Sequence, residues 1–400
     1  MNQSGEQRKT KLIRSTIEAI EGNDYLLTQI LVRLPLKDVK TFKRVSKRWR
    51  SLISAPYFRH CHTTIKRRTS CLFLNPPINS PHRELNFFYL DQKTASFCPK
   101  ILDLRRSHIS QSCNGLMLIQ SKDDTFIYNP TTGHKKPLSS PFPSFDESRF
   151  AYYYSLAFDP LRFLGYKLIC IYHREYSKED GYRTMIYSSE SGAFWKHCGS
   201  SFSAPVNMHF ARGVYFKDSV YWIDRESKTT LRFDLNEELV KDDMPPLPQQ
   251  HHRDDAAGYG YRCVLAPACG YMNLVGFDSK YRISICRLKE DDYSSRWVLM
   301  HSVDLRRCIN LRTVYQIIIL RNYFNLGYAC SILHLIEDDE DEMALLLQIP
   351  NKVIALRLKD NTCEDVLDFT RIKENFLHHC SPGFKGWYRA FGFIESLACV

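Results

Sequence analysis

The run LLTQILVRLPLKDVKTFKRVSKRWRSLI, residues 26–53, places its apolar residues at helical spacing and fills the gaps with cations, unlike anything after it in the chain. Leu26, Leu27, Ile30, Leu31 and Leu34 fall at the three- and four-residue steps of one helix face, with Asn23 or Asp24 available as the N-cap. Pro35 ends that helix, because it cannot donate a backbone hydrogen bond and disfavours helical geometry in the residue before it. Leu36, Val39, Phe42 and Val45, spaced by three, predict a second helix, whose other faces carry Lys37, Lys40, Lys43, Arg44, Lys47 and Arg48. Trp49, Leu52 and Ile53 carry the apolar face into a third short helix before Pro56. Three such helices in about forty residues bury little apolar surface, so a partner or a neighbouring domain is expected to complete their core.

Charge sets the same segment apart. From Arg33 to Arg68 there are twelve Lys or Arg against the single acid Asp38, which equals the whole formal net charge of +11. Three readings follow: a solvated helical hairpin, nucleic-acid contact through the cations, or a protein-docking module. The segment has no zinc-finger spacing, no RNA-recognition aromatic motif and no obvious recognition helix, which weighs against nucleic acid.

The register Leu26-Leu27-x-x-Ile30-Leu31-x-x-Leu34-Pro35-Leu36-x-x-Val39-x-x-Phe42-x-x-Val45-Ser46-x-x-Trp49-Arg50-x-Leu52-Ile53 closely resembles an F-box of the plant type. F-boxes bind the Skp-type adaptor of SCF cullin-RING ubiquitin ligases. The resemblance therefore implies that Leu26, Leu27, Ile30, Leu31, Leu34, Pro35, Leu36, Val39, Phe42, Val45 and Trp49 supply both the adaptor-facing surface and the module's small core. Most F-boxes carry a Leu-Pro pair four residues before the Leu-Leu. Here Gly22-Asn23 stands in its place, which implies a lost adaptor contact and a lower affinity.

The 400 residues, 44% hydrophobic, 25% charged and 13% aromatic, describe a packed globular chain and exclude a collagen-like or largely disordered one. Met1 to Glu21 is polar and lacks a signal-peptide core, and the longest apolar stretch, Val314 to Ile336, is interrupted by Gln316, Arg321, Asn322, Asn325 and His334. Cytoplasm or nucleus is the expected location, with no membrane contact. The fourteen cysteines are spread along the chain without a C-x-x-C pair and read as reduced buried thiols. His60-Cys61-His62 and His378-His379-Cys380 set ligands side by side, unlike a tetrahedral zinc site. No metal and no cofactor are expected.

From about Cys71 the texture becomes short β-rich runs, among them 116–119, 125–128, 168–172, 214–216, 220–223 and 283–286. Asn114-Gly115, Asn129-Pro130-Thr131-Thr132-Gly133, Lys217-Asp218-Ser219 and Asp278-Ser279-Lys280 lie between them as hairpin connections. An aromatic residue followed by a turn-forming polar one recurs at Tyr128-Asn129, Tyr187-Ser188, Phe233-Asp234 and Phe277-Asp278, at intervals of 59, 46 and 44. Such periods fit the blades of a β-propeller, six or seven of them, with a loop around Tyr153 to Asp159 absorbing the longer first interval. A pair of β-sandwiches is the competing architecture.

Several of these pieces also resemble the F-box-associated interaction domain of plant F-box proteins: Ser112-Cys113-Asn114-Gly115-Leu116, Tyr128 to Gly133, Phe158-Asp159-Pro160 with Tyr166-Lys167, Tyr187 to Gly192 with Trp195, and Gly213-Val214-Tyr215 with Tyr221-Trp222. In that family the domain is taken to recruit the target protein. The expected fold is α+β in two parts: a flexible segment 1–21, a three-helix F-box at 22–60, a basic linker at 61–70 and an all-β, propeller-like domain at 71–400.

No catalytic constellation stands out; G-x-S-x-G, H-E-x-x-H and G-x-G-x-x-G are all missing. The acidic run Glu337 to Glu342 reads as a solvated loop or a docking patch, and Pro245-Pro246-Leu247-Pro248 as a polyproline ligand or, following Phe233-Asp234-Leu235, as a stiff connector ending a blade. The resulting expectation is a non-catalytic substrate receptor of an SCF-type ubiquitin ligase, joined through a Skp-type adaptor to cullin and RING subunits and holding an unknown target. The alternatives are a nucleic-acid binder and a propeller-type glycan binder.

Overall fold

The computed structural model describes residues 20, 22–65, 69, 71–75, 86–90, 107–121, 124–142, 150–163, 165–174, 181–192, 194–224, 226–248, 263–277, 282–291, 294–309, 313, 330–337, 342–349, 352–368, 389–398 and 400. Short helices come first: α1 (Asp24–Leu31), α2 (Leu36–Phe42), α3 (Lys47–Ser54) and α4 (Pro56–Ile65). Asn23 caps α1, its Oδ1 accepting from the N–H groups of Tyr25 (3.0 Å) and Leu26 (3.2 Å). Pro35 separates α1 from α2 as its sequence position requires, and Ser46 caps α3 by accepting from Trp49 N–H at 3.1 Å. Helix α4 adds a fourth to the three expected; it starts on Pro56, whose fixed φ suits a first helical position, and runs into the segment read as a basic linker.

Strands fill the rest. Five four-stranded antiparallel sheets follow in chain order: β3–β6 (Ser107–Cys113, Leu116–Ser121, Thr125–Asn129, His134–Pro137), β7–β10 (Phe150–Ala157, Lys167–Arg174, Tyr182–Ser188, Trp195–Phe202), β11–β14 (Val214–Phe216, Ser219–Asp224, Thr229–Asp234, Leu239–Lys241), β15–β18 (Cys263–Ala268, Tyr271–Phe277, Arg282–Asp291, Ser294–Asp304) and β19–β22 (Ser331–Glu337, Met343–Ile349, Lys352–Arg357, Cys363–Asp368). A one-turn helix, α5 (Leu305–Cys308), follows β18. A three-stranded sheet joins the two ends of the β region: β1 (Cys71–Asn75) lies between β2 (Asn86–Tyr89) and β23 (Arg389–Phe393), with Cys71 opposite Phe393.

The first strand of each four-stranded sheet packs beside the first strand of the next, and β23 lies between β19 and β3. The ring is therefore closed. This is a β-propeller of five four-stranded blades whose sixth position is taken by the three-stranded sheet, where the sequence led to six or seven blades. Apolar side chains fill the spaces between neighbouring blades: Leu116, Leu118, Leu156, Leu168, Trp222 and Phe233 among the first three, Val275, Ile285, Leu345 and Leu356 between the last two. Among the described residues no helix is long and apolar enough to cross a membrane.

Two details of the repeat change. Tyr128-Asn129, Tyr187-Ser188 and Phe233-Asp234 do end equivalent strands, the third of blades one, two and three, but Phe277 ends the second strand of blade four, so the interval of 44 is accidental. Tyr153 to Ala157 lies inside β7 and is no loop. The long first interval comes from eight-residue strands in blade two and from the connection 138–149 before it. Asp278-Ser279-Lys280, His378-His379-Cys380 and residues 314–329 of the apolar stretch Val314 to Ile336 lie outside the described residues, as do Asp338 to Asp341 of the acidic run. Its two ends are paired within the ring, Glu337 accepting from Cys269 N–H and Glu342 bridging to Lys359. The prolyl run connects blades three and four, with Leu247 buried and Trp297 Nε1 donating to Pro245 O at 3.4 Å.

Candidate functional site

The eleven side chains singled out in residues 26–49 separate into two sets. Leu27, Leu31, Leu36 and Val39 are buried with Val32, Ile53 and Phe58 in the helices' own core. Leu34, Phe42 and Trp49 are half-buried against that core, Phe42 and Trp49 meeting edge to face with centroids 5.5 Å apart. Leu26, Ile30, Pro35 and Val45 face outward, the three large side chains 42%, 46% and 58% exposed. Two further exposed aromatics join them, Tyr25 at 62% and Tyr57 at 57%. Neither was picked out in the sequence, since Tyr57 lies beyond Pro56 and Tyr25 precedes the first leucine pair.

This concentration makes the helices the candidate site. Of eleven exposed large hydrophobic residues in the described chain, these five occupy positions 25–57. Leu26 and Ile30 are one helical turn apart and form a stripe along α1. Tyr57 lies near Tyr25, and its phenol is pushed up first by a hydrogen bond to the Cys61 thiol and more weakly by Tyr25. Large apolar side chains are thus exposed more densely on this short module than elsewhere in the described chain.

Gly22-Asn23, where an F-box commonly carries Leu-Pro, is built into the module in another way. Arg48 of α3 reaches back to α1, donating from Nε to Asp24 Oδ1 (3.0 Å), from one Nη to the same oxygen (2.7 Å) and also to Gly22 O (2.9 Å). The start of α1 is thus fixed by a cap and an ion pair instead of an apolar contact. Arg48 is one of the cations read from the sequence only as charge. Among the described residues no group of three His, Cys, Asp or Glu side chains could hold a metal ion.

In the propeller, the motifs read as turns also tie blades together. Asn114 Nδ2 donates to Phe158 O at 2.7 Å, and the buried Cys113 thiol, pushed up to about 12 by burial, donates to the same oxygen at 3.3 Å. Tyr166 N–H donates to Ser189 Oγ at 2.9 Å, joining the two loops at one end of blade two. Trp222 Nε1 donates to Ser155 Oγ (3.1 Å) and Phe210 O (3.0 Å), across the second and third blades. A Cβ on Gly213 would strike Ser155 Oγ and come within 2.7 Å of Trp222 Nε1, which is why that motif begins with glycine. Gln111 joins this network with no motif to announce it: Nε2 donates to Leu156 O (3.1 Å) and Gly213 O (2.7 Å), and Oε1 accepts from Leu156 N–H at 2.6 Å. These contacts are structural; none gathers the nucleophile, base and oxyanion donors that catalysis needs.

Comparison with known proteins agrees with this division. Residues 23–61 match the F-box domain, and residues 84–265 match the F-box associated beta propeller domain. The chain is 27% identical to F-box protein At5g07610 of Arabidopsis thaliana, over 96% of its own length and 94% of that protein's. It is 25% identical to F-box protein At3g26010 of the same plant, over 72% of its own length and 69% of that protein's. Among solved structures, an oligogalacturonate lyase from Vibrio parahaemolyticus aligns at 10% identity and a TM-score of 0.39, covering 76% of this chain and 75% of that one, too distant to bear on activity.

Proposed function

From an F-box domain followed by an F-box-associated propeller, we propose that this chain is the substrate-recognition subunit of an SCF-type ubiquitin ligase, acting in the cytoplasm or nucleus. The helices dock on a Skp-type adaptor, which connects them to cullin and RING subunits, and the propeller holds the target. The observation that supports this reading is that Tyr25, Leu26, Ile30, Val45 and Tyr57, five large apolar side chains, are exposed within the residues that match the F-box. No bond is made or broken by the chain. Its contribution is effective concentration: a target held beside a ubiquitin-charged enzyme reacts as if tethered to it.

The two ends of the ring differ in topology. In each four-stranded blade the first-to-second and third-to-fourth connections leave at one end and the others at the opposite end. β1 enters from the end where β23 finishes, so the helices that precede it lie there. We assign the target to the far end, with connections such as 203–213 and 226–228, because the helices lie at the other.

Ile30→Asp with Val45→Asp tests the docking surface. Each well-buried apolar anchor contributes about 1.5 to 3 kcal/mol, so the pair should weaken adaptor binding by at least about tenfold in titration calorimetry. Both side chains are exposed, so the melting temperature of the free protein should barely move. Undiminished adaptor affinity in the double variant would exclude this surface.

A further inference from the structure

Segment 394–398, which follows the last strand, touches both parts of the molecule. Leu397, only 6% exposed, is a member of the helices' buried cluster together with Leu27, Leu31, Leu36, Val39, Ile53 and Phe58. The neighbouring Ala398 belongs to the buried cluster of the first three blades. The helical core is thus completed by a residue more than three hundred positions away.

The segment is held on its propeller side by the Asn129-Pro130-Thr131 turn. Asn129 is fully buried, and its Nδ2 donates to Ser396 O at 3.1 Å and Ala398 O at 2.8 Å. Its Oδ1 accepts from Thr131 N–H at 2.8 Å and Thr132 N–H at 3.3 Å, which fixes the amide's direction. Thr131 Oγ1 accepts from Ser396 N–H at 3.1 Å, and Ser396 Oγ accepts from Ala398 N–H at 3.1 Å. Gly115, at φ +96°, lies directly beneath: a Cβ there would collide with Ser396 Cβ and come within 2.7 Å of Ile394 O. A turn needs glycine at that φ, but it does not need the open space above it. The second and third side-chain-free requirements, room for residue 394 and room for residue 396, belong to the segment that crosses over it.

We propose that residues 394–398 are a clamp that locks the helical module to the propeller, with Asn129 and Gly115 as its positioning residues. The clamp makes the two parts one rigid body and fixes the direction in which the propeller's far end points relative to the docking helices. It does not depend on what the helices bind. If they bind the adaptor, the clamp sets the path between adaptor and target.

Hydrogen exchange of the full-length protein, read by mass spectrometry, tests it. Asn129→Ala touches no helix, yet it should speed amide exchange in α1 and α3 at least about tenfold while the central strands β7 to β9 keep wild-type rates. Leu397→Asp should do the same from the other side, and Leu397→Met should restore wild-type exchange. Should Leu397→Asp fail to fold, Leu397→Ala serves in its place with the same expected pattern. Faster exchange in Asn129→Ala confined to blade one, with the helices unchanged, would overturn the clamp, as would wild-type helix exchange in Leu397→Asp or, where that variant does not fold, in Leu397→Ala. Adaptor titration keeps the two claims apart: an intact clamp in a chain that binds no adaptor refutes the proposed function alone.

Discussion

His334 shows how one side chain can report on ring closure. It lies on β19, facing the closing strand: a Cβ on Gly392 would strike its Nε2 and come within 2.6 Å of its Cε1, and Thr69 Oγ1 stands 3.3 Å from Nε2. Burial pushes its pKa down from 6.5 to about 4. The unfolded chain therefore binds the extra proton first. This contribution to stability is intact above pH 6.5 and is lost as the pH falls toward 4, by up to about 3 kcal/mol. Thermal unfolding across that range should show a steeper decline for wild type than for His334→Leu; parallel curves would mean that the imidazole is charged in the folded state. Trp222 gives a second residue-scale expectation. Trp222→Phe keeps an aromatic ring but removes the donor that serves both Ser155 Oγ and Phe210 O and leaves part of the buried indole's space unfilled, so unfolding by denaturant should show a loss of at least about 1 to 3 kcal/mol.

At the scale of elements, the helices expose cations as well as large apolar side chains. Lys40, Arg44, Lys47 and Arg50 are exposed, whereas Arg48 holds Asp24 and Gly22. Changing those four to Gln while keeping Arg48 should leave adaptor affinity within a few-fold, because exposed charges typically contribute under about 1 kcal/mol. A nucleic-acid interface would behave otherwise, losing affinity with salt at a log-log slope of about 0.7 to 0.9 per phosphate contact, and the quadruple change would flatten that slope. A sub-micromolar DNA or RNA affinity that vanishes in the variant would make the cations the functional surface.

For the whole molecule, closure joins strands separated by most of the chain: β1 pairs with β23, and Phe73 meets Phe393 edge to face at 5.5 Å. Gly392→Ala forces a methyl against the His334 ring, so the closing strand must shift or the imidazole must leave its place. A cost of about 1 to 3 kcal/mol is expected, visible as a lower melting temperature of the entire propeller, because a ring opened at one joint exposes edges on both sides. A wild-type melting curve would show that the ring tolerates slack at this joint.

The local rules in the sequence were sufficient for most of the elements. Pro35 between two apolar stripes, Asn23 and Ser46 as caps, β-branched runs and Asn-Gly turns act within a few residues, and the first three helices and most of the hairpins follow from them, whereas α4 and the strand β7 do not. Spacing alone could not say which anchors face a partner. Leu26 and Leu27 obey the same periodicity, yet one is exposed and the other is buried, because burial depends on what packs against the helix. One member of the core on which the buried anchors pack is Leu397, beyond the reach of any window along the chain. The same limit explains Phe277-Asp278, whose turn chemistry resembles the other three while its strand has a different place in the blade. Turn chemistry is decided locally, whereas the order of strands around the axis, the closing sheet and the segment that ties it to the helices are decided by contacts between residues hundreds of positions apart.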